Sequence, residues 1–254
     1  MTQTELKEFL DEKARFYNNP SFIESDPIQI PHQFSKKEDI EIAAFLTATI
    51  SWGNRKMIIQ NASKMMELLE FSPHDFILNH HENDLKSFDK FVHRTFNSVD
   101  FQQFIKSLQH IYLNHGGLEN TLLISDKSDT YQKAIHQFKK LFFEIPHSIR
   151  TQKHISDPLN NSAAKRINMY LRWMVRKDKA GVDFGIWERI SPGQLICPLD
   201  VHVARVARRF NLLQRTPTDW QAALELTSYL RRLDPQDPVK YDFALFGLGV
   251  IEKF

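Results

Sequence analysis

Apolar residues recur along this chain at spacings of three and four far more often than in alternation, a pattern that predicts helices from end to end. Residues 4–17 place Leu6, Phe9, Leu10 and Ala14 on one face, and Pro20 ends that helix. Residues 20–34 hold three prolines, which predicts an irregular loop. Ser35 with Glu38 has the form of a capping box for a helix over 36–50, whose almost wholly apolar second half should be buried. Gly53 permits a reversal, after which Asn54 caps a helix over 55–70. Over 72–97 the pattern weakens into short helical pieces. Asp100 is expected to cap a helix over 101–115, stopped by Gly116-Gly117, and a further helix is expected over 129–143 with Tyr131, Ile135, Phe138, Leu141 and Phe142 as its apolar stripe. A long amphipathic helix starts at Lys165, a second helix follows Asp200, a third follows Thr218-Asp219 up to Pro235, and an apolar helix over 238–253 should be central.

Composition adjusts this picture only slightly. With 254 residues, 42% of them hydrophobic, the chain can bury a substantial core, while eight glycines and few β-branched alternations leave little for strands. The expected fold class is all-α: a single unit over 1–254, built from intimate helical subdomains at 35–150 and at 151–254 together with 1–34. The one cysteine, Cys197, excludes an intramolecular disulfide, a CxxC zinc site and a four-cysteine iron–sulfur cluster. No apolar run approaches a membrane span, and the first residues are polar where a signal peptide would be apolar, so no membrane partner and a cytoplasmic location are expected.

The net charge of +2 hides an asymmetry. Between Arg150 and Arg215 thirteen Lys and Arg face five acids, a local balance of +8. A face so charged suits a polyanion, nucleic acid being the commonest; a solvated helix face with no partner is the alternative.

Candidate chemistry concentrates in that section. Lys165, Asn168, Arg172 and Arg176 repeat about once per turn. Facing a cleft, they would give Lys165 cationic neighbours and a nucleophile's environment; facing solvent, Lys165 is ordinary. Asp200 reads as an N-cap or as a carboxylate held ionised at a helix start. Arg205, Arg208 and Arg209 follow at spacing suited to phosphates, and His202 is either structural or a site residue. Trp52, Asn54 and Arg55, on a tight turn, form either a wedge for a nucleic-acid groove or a packed tryptophan beside a solvated arginine. His80-His81 is not expected to hold a metal, because adjacent helical histidines diverge and no carboxylate sits at helical spacing.

The run Pro198-Leu199-Asp200-Val201-His202-Val203, followed by Arg205-Val206-Ala207-Arg208-Arg209, resembles the segment after the hairpin in the helix-hairpin-helix DNA glycosylase superfamily, and Asn161–Lys165 sits where that superfamily carries its hairpin turn. The pieces HRTF (His93–Phe96) and KRINMYLRWMVR (Lys165–Arg176) resemble an uncharacterised bacterial family of this length, which looks like a distant branch of the glycosylases. The resemblance implies two helical subdomains with a cleft, no iron–sulfur cluster, no cofactor and no metal. It implies double-stranded DNA as the partner and, with DNA binding, association with the bacterial nucleoid; the oligomeric state is left open, with a monomer favoured. The implied activity is base excision, with Asp200 as the catalytic carboxylate and Lys165 as the Schiff-base lysine of an N-glycosylase with AP-lyase activity. Asn161, Ser162, Ala163, Arg166, Arg172, His202, Arg205, Arg208 and Arg209, with Trp52, Asn54 and Arg55, would contact the nucleic acid. The hairpin is altered, since Asn161 and Ala163 replace its glycines, and the lysine and aspartate stand farther apart than in the common enzymes. A non-catalytic nucleic-acid-binding protein on the same fold and a helical protein–protein scaffold are the competing readings.

Overall fold

A computed structural model describes residues 2–124 and 130–254, and these are almost entirely helical. The helices are α1 (Gln3–Tyr17), α2 (Pro20–Ser25), α3 (Lys37–Thr49), α4 (Arg55–Leu68), α5 (Pro73–Asn79), α6 (Ser98–Asn114), α7 (Leu118–Thr121), α8 (Tyr131–Phe142), α9 (Lys165–Val175), α10 (Val201–Arg209), α11 (Trp220–Leu233) and α12 (Tyr241–Phe246). Among the described residues, regular extended pairing is confined to a small antiparallel hairpin, Val92–His93 with Phe96–Asn97. No described helix is long and apolar enough to cross a membrane. The chain divides into two units, one of Asp26–Asp157 and one of Met1–Ser25 with Pro158–Phe254.

Within Asp26–Asp157, every residue of α3 from Ile40 to Thr49 is buried, as a helix apolar all round requires. Phenylalanine rings surround it: Phe45 lies 6.0 Å from Phe104 and 5.7 Å from Phe138, and Phe88 stacks on Phe101 at 4.4 Å. The buried Asp100 organises the polar side of this core. Its carboxylate accepts from the Asn97 backbone N–H at 3.0 Å, Arg150 Nη1 at 2.8 Å and Thr151 Oγ1 at 2.8 Å, and lies 3.2 Å from His154 Nε2. A buried carboxylate with this many donors ties the 149–154 turn to the start of α6.

Several helix starts differ from the sequence pattern. Asn97, not Asp100, caps α6, and Asp100 is the third-residue partner of that capping box. The Ser35–Glu38 box does not form: α3 starts at Lys37 without a side-chain cap, while the neighbouring Asp39 Oδ1 accepts from the His74 backbone N–H at 2.8 Å. The proline-rich 20–34 stretch is ordered as α2 and two 3-10 turns, each begun by a proline whose fixed φ and missing N–H suit a first helical position. His80 and His81 follow α5 rather than lying on a helix, and His80 Nδ1 is 2.9 Å from the Ile77 carbonyl. The expected start of α8 at Asp129 lies outside the described residues.

In the other unit, α9 carries the largest departure. The polar stripe Asn168, Arg172 and Arg176 faces inward, and all three side chains are buried. Arg172 Nε donates to Asp183 at 3.2 Å, and its Nη1 pairs with Asp242. Arg176 donates to Asp183 at 3.2 Å, Asp237 at 2.9 Å and Asp178 at 2.6 Å. Both guanidinium groups also lie over the Phe243 ring, at 4.3 and 5.4 Å. The expected helix over 238–253 is a 3-10 turn, α12 and a π-helical segment, Gly247–Ile251. Its glycines permit close packing within the unit: a Cβ on Gly247 would lie 2.2 Å from the Tyr17 ring of α1, and one on Gly249 would lie 3.1 Å from the His202 carbonyl of α10.

Asp183 links the two buried arginines, so Asp183→Ala leaves both under-compensated. Urea unfolding is expected to show a loss of about 3–5 kcal/mol. A loss below about 1 kcal/mol, the scale of an exposed pair, would contradict this account of the cluster.

Candidate functional site

Lys165 opens α9 at the end of a turn, 161–164, that bends through left-handed backbone twice, at Asn161 (φ 63°) and Ala164 (φ 47°). Asparagine tolerates this region, whereas an alanine there costs about 1–2 kcal/mol that neighbouring contacts must offset. Those contacts are present. Asn161 Nδ2 donates to Asp219 Oδ2 at 3.2 Å, and the Trp220 N–H donates to the Asn161 carbonyl at 3.3 Å. Ser162 Oγ accepts from the Ala164 N–H at 3.2 Å, and Asn168 Nδ2 donates to the Ala163 carbonyl at 3.1 Å. Asp219 is itself gripped by Arg215 at 2.5 and 2.7 Å, which holds its carboxyl far below the usual range. The turn before Lys165 is therefore fastened to the start of α11.

Asp200 arrives at the end of the buried run Leu195–Leu199. It caps α10, with Oδ1 accepting from the His202 and Val203 N–H groups, each at 2.9 Å. Its second oxygen, Oδ2, stands 3.9 Å from Lys165 Nζ. The two side chains are 27% and 21% exposed, so the pair is neither sealed in the core nor freely solvated. At that separation it is an ion pair rather than a tight charge-assisted hydrogen bond, and as a stabilising contact it is worth no more than about 1 kcal/mol.

A third acid belongs to this neighbourhood. Burial pushes the Asp242 carboxyl up to about 6, against the pull of Arg172 and Lys165, while the Asp200 charge adds to the rise. The pairing with Arg172 joins this buried carboxylate to the arginine cluster, and the charges of Lys165 and Asp200 act on it as well. Periodicity treats the last helix as uniformly apolar and passes over Asp242; the signal available was a lone acid inside the run YDFALFG.

The remaining candidates divide by what their side chains touch. Arg172 is corrected: its guanidinium is spent on Asp183 and Asp242 inside the unit rather than presented to a ligand. Arg205 donates to the carbonyls of Phe254 at 3.0 Å and Gly249 at 2.7 Å, and Arg208 to those of Arg215 and Thr216 at 2.7–3.1 Å, so both fasten backbone segments to α10. Arg209 lies over the Phe254 ring at 5.0 Å and is exposed. Arg166 is half-buried, and burial lowers its pKa to about 10, leaving it cationic at neutral pH. His202 is half-buried, and its Nδ1 is shielded from solvent with no hydrogen-bond partner among the described residues. Trp52, Asn54 and Arg55 belong to the Asp26–Asp157 unit. There Trp52 meets His93 edge-on at 5.0 Å and stacks with His154 at 6.1 Å, Asn54 caps α4 through the Met57 N–H at 3.1 Å, and Arg55 is half-buried. Two surface hollows lie elsewhere: one of about 670 Å³ beside Arg215 and Glu225, and one of about 310 Å³ beside His136 and Asp157. Neither is lined by Lys165 or Asp200.

Two predictions follow from the local chemistry. Asp200→Asn keeps a capping oxygen and should leave thermal stability within about 0.5 kcal/mol, whereas Asp200→Ala removes the cap and should cost about 1 kcal/mol. For Asp242, the folded pKa near 6 exceeds an ordinary aspartate's 3.8, so the folded protein holds this proton longer than the unfolded chain. The stability contributed by that proton is complete below about pH 4 and is lost as pH rises through about 6. Subtracting the urea-unfolding profile of Asp242→Asn from that of the parent should isolate this downward slope, and a flat difference would contradict it.

No curated protein and no solved structure matches this chain. A family described as "Protein of unknown function (DUF2400)" matches residues 26–251, nearly the whole sequence, and the chain belongs to that family.

Proposed function

We propose that this protein is a DNA N-glycosylase of the repair type, with AP-lyase activity through Lys165. The observation that carries the reading is the approach of Lys165 Nζ to Asp200 Oδ2, 3.9 Å apart at the starts of two helices, on the two residues that match the superfamily's lysine and aspartate. Two further features support it. The Asp200 carboxylate is oriented by its cap bonds through one oxygen, which leaves the other directed to the amine. The turn before α9 is fastened to Asp219, which fixes the helix start that carries Lys165.

In this mechanism the target nucleotide is flipped out of the duplex and its sugar C1′ is set against Lys165. Lys165 passes a proton to Asp200 and attacks C1′ as the neutral amine while the C1′–N bond breaks; the electron pair leaves with the base, which takes that proton from Asp200. Asp200 accepts the proton that the amine sheds and offsets the positive charge that develops on the sugar. Opening of the sugar yields a Schiff base between Lys165 and C1′, and β-elimination then breaks the strand on the 3′ side. Arg166 and Arg209 supply cationic charge toward the phosphates. Arg205 and Arg208 act mainly by holding α10 in place.

Borohydride reduces a lysine Schiff base to a stable amine and traps a covalent protein–DNA adduct. With duplexes carrying oxidised, deaminated, alkylated and abasic sites, the parent is expected to trap on at least one. Lys165→Ala should abolish trapping, and Asp200→Asn should lower the rate by at least about a hundredfold while the protein stays folded. If no duplex gives strand cleavage or trapping, the glycosylase reading fails. Salt-sensitive DNA binding without either would then assign the non-catalytic reading, and no DNA binding at all the scaffold.

A further inference from the structure

The C-terminal end of α6 and the residue two past α8 bring three metal-type donors together. His110 Nε2 lies 2.9 Å from Glu144 Oε2, His115 Nε2 lies 3.1 Å from the same oxygen, and the two ring nitrogens are 3.2 Å apart. The histidine rings are mostly covered, with 20% and 24% of their side-chain surface exposed, whereas Glu144 is 54% exposed. We propose that His110, His115 and Glu144 bind a divalent transition-metal ion of the zinc type, with a water molecule in the open position.

The spacing is the first argument. Three donors at 2.9–3.2 Å from one another form a nearly equilateral triangle. An ion at about 2.0–2.1 Å from each would sit roughly 1 Å out of their plane, with donor–metal–donor angles of about 97°. Such angles lie between the tetrahedral and octahedral values and within reach of four- or five-coordinate zinc after a small spreading of the side chains. Two imidazoles and a carboxylate are a common donor set for zinc with a fourth, solvent-filled position, and the partial exposure of Glu144 leaves such a position open.

Proton accounting is the second. Two neutral imidazoles and one carboxylate can fill this triangle without a cation only by aiming two N–H groups at a single oxygen, which sets the two donors against each other at 3.2 Å, or by a ring-to-ring hydrogen bond that leaves one contact unmade. A cation at the centre takes all three lone pairs at once.

The third argument is support for the ligands. Asn114 Nδ2 lies 3.1 Å from His110 Nδ1 and 3.1 Å from the His110 carbonyl. When His110 coordinates through Nε2 its proton moves to Nδ1, and a half-turn of the Asn114 amide presents Oδ1 to accept it, exchanging the bond to the carbonyl for one that orients the ligand. The His115 carbonyl accepts from Asn120 Nδ2 at 2.9 Å, which fixes the backbone of the second ligand just before Gly116-Gly117. The bound ion would clip the ends of α6 and α8 together within the Asp26–Asp157 unit. No metal is expected from the sequence, where only His80-His81 is weighed; this set is not visible to local spacing, because Glu144 lies far along the chain from both histidines. The proposal stands independently of the Lys165–Asp200 chemistry.

The test uses the full chain, stripped of metal and titrated with Zn²⁺ against a chromophoric chelator at pH 7.5. One equivalent is expected to bind in the micromolar range or tighter, and Co²⁺ substitution should give the visible bands of a four- or five-coordinate site. His115→Ala and Glu144→Gln, each checked for retained helicity by circular dichroism, should weaken Zn²⁺ binding by at least about tenfold, and His80→Ala should leave it unchanged. Absence of stoichiometric binding, binding untouched by both ligand variants, or binding lost in His80→Ala would each overturn the proposal.

Discussion

Two arginines inside a helical unit set the terms for the rest of its structure. Arg172 and Arg176 are buried on one face of α9, and their charge is met by Asp183 from the following loop, Asp237 and Asp242 from the C-terminal segment, and Asp178 just beyond the helix. Buried guanidinium groups demand such partners, because desolvating a charge costs several kcal/mol unless hydrogen bonds and opposite charge offset it. The chain can satisfy both arginines only by folding the 177–190 loop back onto α9, and the bonds from Phe184 and Trp187 N–H to the Trp173 and Met174 carbonyls, at 2.8 and 2.9 Å, record that return. Replacing the cluster by hydrocarbon would save the desolvation but lose the directional bonds that choose this arrangement.

The cluster also places the lysine. Arg172 lies two turns along α9 from Lys165, and Asp242, which pairs with Arg172, also responds to the charges of Lys165 and Asp200. Rotation of α9 is therefore set by the buried arginines, and the direction of Lys165 at its start follows from that rotation. Asp200 is placed independently, by the apolar run 195–199 and by its cap bonds to α10. Because separate devices hold the two side chains, neither device by itself requires the 3.9 Å approach between them, and the proposed function rests on that approach.

Much of the helical framework was legible because it depends on local pattern. Asn54, Asp200 and Asp219 each cap the helix that the sequence places after them, and Pro235 follows the end of α11. What periodicity could not supply was the meaning of polar residues with distant partners. Arg172 and Arg176 read as a polar stripe facing either a cleft or solvent, since nothing within a few residues shows that Asp237 and Asp242 will come to meet them. Ser35 and Glu38 show the same limit at a helix start: the local capping pattern was present, but α3 starts at Lys37 after Lys36 with no side-chain cap, and the Asp39 carboxylate accepts from the distant His74 N–H. The arginines of α10 were correctly placed in a basic section, yet for Arg205 and Arg208 the nearest acceptors are carbonyls of this chain.

In the proposed function the turn at 161–164 takes the place of a glycine-containing hairpin, and its residues differ from such a hairpin in a way that matters for a ligand. Glycines in a hairpin serve two purposes, admitting left-handed backbone and letting a ligand approach the amides. Here Asn161 and Ala164 adopt left-handed conformations without glycine, and the tie from Asn161 to Asp219 supplies what the missing conformational freedom would have cost. The first purpose is thus met by other means. The second is not met in the same way, because these positions carry side chains where glycine has none and the amide of Ala164 is already engaged by Ser162 Oγ. A phosphate docking at the start of α9 would have to meet those side chains as well as the amides, so recognition there would rest on asparagine and serine donors and on Arg166 more than on the peptide N–H groups alone.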